Sequence, residues 1–299
     1  MSEPFQAPEQ SRPLAMTLML SASALVAVTT LFAKALGTDT LGAPLHPVQV
    51  THGRFLFAFL ALSLVAVFLR PGFRRPHWHL HIARTSAGFV GVTLMFAAVA
   101  RIPMSDATAI TFLNPVFAMM LAIPLLGENV GRWRWTAAAI ALMGALILLR
   151  PGPESFRPAA LLALASAAVM GLEVIFIKKL AGRERPFQVL LINNALGLSI
   201  ASVAVLAVWQ APTPGQWLSM AGLGGAMALA QACYINSLAR ADASFVAPFA
   251  YSTLVFATLY DAAIFSVLPD WVSVLGATVI LTGGAILAWR EGRAQGLRR

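Results

Sequence analysis

Four charged side chains interrupt long apolar runs of this sequence, where an uncompensated charge is costly. They are Lys34, Arg54, Glu173 and Asp261. Ionisable groups inside membrane-spanning segments face the interior of a helix bundle or a wet cavity, and they mark substrate or ion pathways. We therefore take these residues as candidates for binding a substrate or for coupling its movement to an ion.

Glu173 is the strongest candidate because it lies in the middle of its apolar run. The nearest cation that follows it in the sequence is Lys178, five residues on. Burial disfavours the charged form of a lone carboxylate, so such a group can bind a proton near neutral pH. Glu173 is thus expected to exchange protons or to pair with a substrate amine. The same argument applies to Asp261, which lies nearer the outer end of its run.

The two cations each allow two interpretations. Lys34 lies near the outer end of the first apolar run, where it either extends its ammonium group to the interface or contacts a carboxylate or an anionic substrate. Arg54 lies about two turns inside the second run, too deep for easy extension to the interface. It either pairs with a carbonyl or an acid, or binds substrate.

A second group of candidates is polar or aromatic. Gln231 and Tyr234 are three residues apart, so one helix face presents both. Asn114 and Tyr251 lie in two other apolar runs, and a tyrosine ring can stack on a planar substrate. For each of these side chains the alternative is a hydrogen bond between helices, which stabilises a bundle without binding anything.

Two prolines are candidate hinges. Pro115 and Pro248 each remove a backbone donor from a predicted helix. Helix breaks near the middle of a membrane line cavities or act as hinges in transporters.

The sequence predicts no metal site and no cofactor. His77 and His81 are four residues apart and could share a helix face, but no acid or cysteine stands near them in the sequence. The usual zinc sites combine three or four such ligands. Cys233 is the single cysteine, which excludes an internal disulfide.

The elements that position these residues are predicted to be membrane helices. Of the 299 residues 59% are hydrophobic and only 11% are charged, whereas about a quarter are charged in a soluble domain. Backbone groups in lipid must be satisfied within a segment, so spans this apolar are helices. Ten runs are long enough to cross a bilayer: 14–36, 48–69, 82–101, 105–126, 133–150, 158–180, 187–209, 214–238, 243–266 and 271–289.

The distribution of Lys and Arg predicts the orientation. With the N-terminus inside, 16 of the 21 cations, including Arg84, fall in cytoplasmic segments. This bias places both termini in the cytoplasm. The net charge of +9 does not indicate nucleic-acid binding, because the basic residues lie between apolar segments and not on one face.

The chain reads as two related halves. Residues 96–118 and 234–251 each end an apolar helix and cross a short turn, which contains Asp106-Ala-Thr in the first and Asp242-Ala-Ser in the second. Each then continues into a proline-containing helix. Five spans per half is an odd number, so the second half enters the membrane from the opposite side. Such inverted repeats are typical of transporters.

These residues resemble the EamA type of the drug/metabolite transporter superfamily. The resemblance lies in the run from Gly91 to Ile110, in Asn114-Pro115-Val-Phe, in Leu126-Gly127-Glu128, and in the matching run from Ala239 to Tyr251. It implies ten helices as two inverted five-helix repeats around a central cavity. Members carry amino acids, riboflavin and nucleotide-like compounds such as S-adenosylmethionine. The family often has Glu before Pro ahead of the last helix, where this sequence reads Val267-Leu268-Pro269.

The sequence therefore predicts an all-α integral membrane protein that is a secondary transporter of the bacterial inner membrane, and not an enzyme. No phosphate-binding loop of the form G-x-x-x-x-G-K-[ST] occurs, so transport is facilitative or driven by protons or exchange. The alternatives are a membrane enzyme acting on lipid and a partner subunit that does not transport. A monomer suffices, since the cavity lies within one chain. The predicted divisions are a cytoplasmic tail (1–13), two repeats (14–150 and 151–290) and a basic cytoplasmic tail (291–299).

Overall fold

The computed structural model describes residues 11–69, 72–73, 75–127, 131–149, 157–180, 183–238, 240 and 249–296. This part of the chain is helical and contains no strand. Its helices are α1 (Arg12–Gly37), α2 (Pro47–Leu69), α3 (Trp78–Val99), α4 (Met104–Thr111), α5 (Asn114–Leu126), α6 (Arg132–Leu149), α7 (Pro158–Leu180), α8 (Pro186–Val205), α9 (Pro214–Leu238), α10 (Ser252–Phe265) and α11 (Trp271–Gly296), with a 3₁₀ turn at Asp39–Leu41.

The helices have the length and composition of membrane spans. Among the described residues, seven spans are long and apolar enough to cross a bilayer: α1, α2, α3, α4 with α5, α7, α8 and α9. Shorter apolar helices lie at Trp135–Leu148, Ser252–Phe265 and Trp271–Ile286. Large apolar side chains such as Phe68, Leu206 and Leu218 are about three-quarters exposed, as expected of a surface that faces lipid. The all-α integral membrane fold is confirmed.

The helix bounds follow the predicted spans, with four differences. The third span begins at Trp78 and not at 82. The span predicted at 105–126 is two helices, separated at Phe112 and Leu113. The seventh span ends at Val205 and not at 209. The last helix continues to Gly296, past the predicted start of the C-terminal tail at residue 291.

The packing partners exchange between the two halves. Helix α1 packs against α9, and its counterpart α7 packs against α3. Helix α2 packs against α9, and its counterpart α8 packs against α3. The counterparts α6 and α11 pack against each other, as do α2 and α8. This exchange is the pattern that a pseudo-two-fold axis between the repeats produces.

Glycines bring α6 and α11 into close contact. A Cβ atom on Gly144 would lie 2.7 Å from the carbonyl oxygen of Gly276, and one on Gly283 would lie 2.6 Å from the backbone nitrogen of Ala141. Residue numbers therefore rise in opposite directions along the two helices. Because α6 and α11 hold the same place in their halves, the antiparallel contact fits an inverted repeat.

Candidate functional site

Three charged side chains from three helices converge inside the bundle: Arg54 on α2, Arg84 on α3 and Glu173 on α7. The Nε atom of Arg84 lies 3.6 Å from Oε1 of Glu173. Arg54 is close enough to both for their charges to interact. The arginines are 5% and 6% exposed, whereas the Glu173 side chain retains 18% exposure. We call these three residues the central charge cluster.

The packing of α3 on α7 positions this cluster. Arg84, Gly88 and Gly91 share one face of α3, and Ser166 and Glu173 share the facing stripe of α7. The Ser166 hydroxyl donates to the carbonyl oxygen of Gly91 at 2.7 Å. A Cβ atom on Gly88 would lie 3.1 Å from the Glu173 carboxylate. Small residues on α3 therefore make room for the carboxylate beside Arg84.

The structure corrects the expectation that Glu173 is a lone carboxylate. Its nearest cation is Arg84, which the sequence analysis assigned to a cytoplasmic segment. Arg84 is instead buried in α3, and its Nη1 also donates to the carbonyl oxygen of Val189 at 3.2 Å. Arg84 was missed because it lies at the edge of a predicted span, in the second turn of an α3 that begins earlier than expected. Its pairing with Glu173 is a contact between the two halves that no local pattern signals.

The cluster has more cationic than anionic groups, and some of its donors are unused. Two guanidinium groups face one carboxylate. Nη1 of Arg54 and Nε of Arg84 are buried and have no hydrogen-bond partner in the described part of the chain. The Arg54 guanidinium lies 4.6 Å from the centroid of the Phe55 ring. The sequence allows Arg54 either to pair with a carbonyl or an acid or to bind substrate. No carbonyl oxygen accepts a hydrogen bond from its Nη1 in the described part of the chain.

Lys34 and Asp261 form a second buried ion pair, at the predicted outer end. The Lys34 ammonium donates to Oδ1 of Asp261 and lies 4.5 Å from the centroid of the Phe265 ring. Oδ2 of Asp261 accepts a hydrogen bond of 2.7 Å from the backbone N–H of Met104, the first residue of α4. The pair thus joins α1, α4 and α10. The interpretation that Lys34 extends to the interface is wrong, because its ammonium contacts a carboxylate and the residue is 8% exposed.

The polar and aromatic candidates do not gather around one point. The Tyr251 ring packs edge-on against Phe112 at 5.2 Å, next to the break between α4 and α5. The carbonyl oxygen of Asn114 would lie 3.0 Å from a Cβ on Gly171, two residues before Glu173. Gln231 is partly buried and its Oε1 has no partner among the described residues, while Tyr234 is 47% exposed.

The break in the fourth span comes directly before Pro115. Phe112 and Leu113 keep near-helical dihedral angles, and Pro115 occupies the first turn of α5. There the missing N–H removes no helical hydrogen bond. Pro115 therefore lies in the first turn of a new helix, directly after a break in the span, and its role as a hinge stays a prediction. Pro248, the other predicted hinge, lies outside the described residues.

A cluster of hydrogen bonds, which we call the polar clamp, centres on Glu184 at the predicted cytoplasmic end of the bundle. The Glu184 carboxylate, between α7 and α8, accepts hydrogen bonds from the backbone N–H and Nδ1 of His77, from Nε2 of His81 and from Nε2 of Gln188, at 2.7 to 3.0 Å. The expectation that no acid lies near these histidines is wrong, because Glu184 reaches them from the other half of the chain. Four donors already occupy the carboxylate, and the described residues contain no group of three or more His, Cys, Asp and Glu able to hold a metal.

A cavity of about 770 Å³ lies close to the clamp, between α3, α5 and α7. Among the described residues, its lining contains two cations, Lys179 and Arg183, and no acid. Two further lining residues lie near the central charge cluster along their helices: Ala83 precedes Arg84, and Phe176 is one turn from Glu173 on the same face. The cavity therefore has cations in its lining and lies beside the helix segments that contain Arg84 and Glu173.

Known proteins resemble this chain in both halves. The sequence model of the EamA-like transporter family matches residues 13–150 and 157–289. The chain belongs to the EamA-like transporter family. Its packing, in which equivalent helices of the two halves exchange partners, is consistent with two copies of one family unit.

The relatives of this EamA-family chain are named for metabolite transport. It is 26% identical to the S-adenosylmethionine uptake transporter of Rickettsia bellii, over 85% of this chain and 88% of that protein. It is 32% identical to the riboflavin transporter of Rhizobium johnstonii, over 72% of each. The chain is also similar in structure to a solved crystal structure, over 95% of this chain and 100% of the solved one. The TM-score is 0.65 and the sequence identity is 19%, so this similarity supports the fold alone. The chain is a multi-pass membrane protein and a metabolite transporter.

Proposed function

We propose that this EamA-family protein moves a small polar or amphipathic organic metabolite by alternating access, with the substrate bound at the central charge cluster. The observation that carries the proposal is the contact of Arg84 with Glu173, which brings opposite charges from the two halves together inside the bundle. Alternating access moves one repeat against the other around a site at their interface.

The substrate candidates are an amino acid and nucleotide-like or flavin compounds. Two named relatives carry S-adenosylmethionine and riboflavin, respectively. Under this proposal Glu173 pairs with a cationic group of the substrate or takes up a proton. Proton uptake by Glu173 would give up the charge pairing of its carboxylate with Arg84. Exchange of one substrate for another needs no such step.

We place the protein in the bacterial inner membrane with both termini in the cytoplasm, working as a monomer and not as an enzyme. Among the described residues, the polar clamp at Glu184 brings an acid and histidines together, a combination that could be taken for an enzyme active site. Its carboxylate is fully occupied by donors and its side chain is inaccessible, so it offers no open position to a substrate.

The test is uptake into vesicles that contain the purified protein. We would measure S-adenosylmethionine, riboflavin and amino acids against an imposed pH gradient, and against the same compound loaded inside. Saturable uptake that Glu173→Gln lowers at least tenfold supports the assignment, and dependence on the pH gradient supports proton coupling. Asp39→Asn is the control, because Asp39 is an exposed acid outside the bundle. If Glu173→Gln transports at the wild-type rate with unchanged pH dependence, Glu173 has no role in binding or coupling.

A further inference from the structure

We propose that the central charge cluster binds an anionic group of the substrate, a carboxylate or a phosphate, through Arg54 with support from Arg84. This inference rests on the proposed function and adds the substrate class. It would separate two kinds of relative, since riboflavin itself is uncharged, whereas S-adenosylmethionine contains a carboxylate.

The first argument is charge balance. Guanidinium groups are always protonated in proteins, and among the described residues one carboxylate, Glu173, faces the two of the cluster and neutralises only one. An unbalanced charge buried among membrane helices is costly unless it has a partner. Arg54 is 95% buried and faces Glu173 only at a distance, as the second cation of the cluster. A bound anion would complete the pairing.

The second argument is the set of unused donors. Nη1 of Arg54 is buried and has no hydrogen-bond partner in the described part of the chain, whereas Nε of Arg84 faces Oε1 of Glu173 at 3.6 Å, too far for a hydrogen bond. A buried donor without an acceptor loses its hydration and gains nothing in return. Guanidinium donors match the oxygens of carboxylates and phosphates, often in pairs. The unused donor of Arg54 therefore favours an oxyanion as its missing partner.

The third argument is the charge of the cavity through which a ligand would reach the cluster. The cavity described above is lined by Ala83 and Phe176, which neighbour Arg84 and Glu173 along their helices, and by the cations Lys179 and Arg183, with no acid among the described lining residues. A cleft whose walls have one sign of charge raises the local concentration of the opposite sign. The cationic lining thus favours the same class of ligand as the buried arginines.

The test compares ligand pairs that differ by one anionic group: riboflavin with riboflavin 5′-phosphate, and decarboxylated S-adenosylmethionine with S-adenosylmethionine. Dissociation constants come from thermal stabilisation of the purified full-length protein. We expect wild type to bind the anionic member of at least one pair tenfold or more tightly than its partner. Arg54→Gln should reduce that preference to less than threefold, while Arg54→Lys should keep part of it because a cation remains. Arg101→Gln is the control, since Arg101 is exposed beyond the other end of α3.

Equal affinity for both members of each pair, a preference for the neutral member, or an unchanged preference in Arg54→Gln would overturn the inference. If wild type binds none of the four compounds, sodium acetate and phosphate are compared with chloride at constant ionic strength. Stabilisation by acetate that disappears in Arg54→Gln supports a carboxylate-bearing substrate, and no effect of either anion overturns it. Stabilisation by phosphate that disappears in Arg54→Gln supports a phosphate-bearing substrate, and stabilisation by either anion that persists in Arg54→Gln overturns the inference. Saturable riboflavin uptake that persists in Arg54→Gln would contradict this inference and leave the transport function standing.

Discussion

Arg84 and Glu173 meet with 3.6 Å between Nε and Oε1, across the contact of α3 in the first half with α7 in the second. The contact lies where two equivalent packing pairs, α3 with α7 and α9 with α1, surround the bundle interior. A change in the angle between the halves therefore changes the environment of this ion pair directly.

The pair should show strong energetic coupling. Arg84→Gln leaves Glu173 without its nearest cation, and Glu173→Gln leaves two arginines without an acid, so each should destabilise the protein by about 2–4 kcal/mol. The double variant should be less damaged than the sum of both, with a coupling of about 0.5–3 kcal/mol. Unfolding in detergent with increasing denaturant measures all four proteins. Additive effects would show that the two side chains act independently.

Replacing one residue of the outer ion pair should destabilise the protein, whereas replacing both together should have little effect. Asp261→Asn leaves the Lys34 ammonium buried without a counter-charge, which costs about 3–5 kcal/mol. Lys34→Met combined with Asp261→Asn removes both charges and keeps an oxygen able to accept from the N–H of Met104. We expect the double variant to melt close to wild type and above Asp261→Asn. A double variant as unstable as Asp261→Asn would contradict this explanation.

The polar clamp should make stability depend on pH. Desolvation raises the pKa of Glu184, but the hydrogen bonds from the His77 N–H and the His81 and His77 rings outweigh it and lower the pKa from 4.5 to about 2. A carboxylate with a lowered folded-state pKa stabilises fully above its unfolded value, and this contribution is lost as pH falls from 4.5 towards 2. The difference of 2.5 units corresponds to about 3 kcal/mol.

Comparison of wild type with Glu184→Gln checks this value. The wild type should be more stable at pH 7 by roughly the stated amount, and the difference should shrink below pH 4.5. Asp39→Asn, at an exposed acid, should show little difference at any pH. A difference in stability between wild type and Glu184→Gln that stays constant down to pH 2.5 would mean that the polar clamp does not hold an ionised carboxylate.

The α6 and α11 crossing should not tolerate a methyl group. Gly144→Ala places a Cβ 2.7 Å from the carbonyl oxygen of Gly276, and backbone cannot move aside as a flexible side chain does. We expect a loss of about 1–3 kcal/mol, as for overpacking elsewhere. Gly225→Ala is the matched control, because nothing lies within 4 Å of its Cβ and alanine favours helix. Equal melting temperatures for the two variants would rule out a tight crossing.

The sequence predicted the spans well because hydrocarbon thickness and backbone hydrogen bonding constrain them strongly. The helices at 158–180 and 214–238 have the predicted bounds. The break in the fourth span lies directly before Pro115, because proline disrupts a helix interior but suits the first turn of the helix that follows.

The partners of the charged residues were beyond the sequence. Lys34 and Asp261 are 227 positions apart, and Glu184 lies more than 100 positions from both histidines that it binds. Hydropathy shows that a charge is buried, but only packing shows which charge faces it. Arg84 illustrates the point, since its place at the edge of an apolar run made it look like a loop cation.

Among the described residues the central charge cluster has one excess positive charge, which would make the proposed transport cycle sensitive to voltage. A unit charge that crosses the full membrane potential changes energy by about 2.3 kcal/mol per 100 mV. If the cluster moves within the field during the conformational change, the membrane potential acts on the excess charge of the empty protein. A bound monovalent anion neutralises that charge, so the potential then has no net effect on the movement. Transient currents on solid-supported membranes would reveal the difference, and their absence in the empty protein would show that the cluster stays fixed in the field. For a monovalent anionic substrate, the membrane potential would then act on the return of the empty carrier and not on the step that moves the cargo.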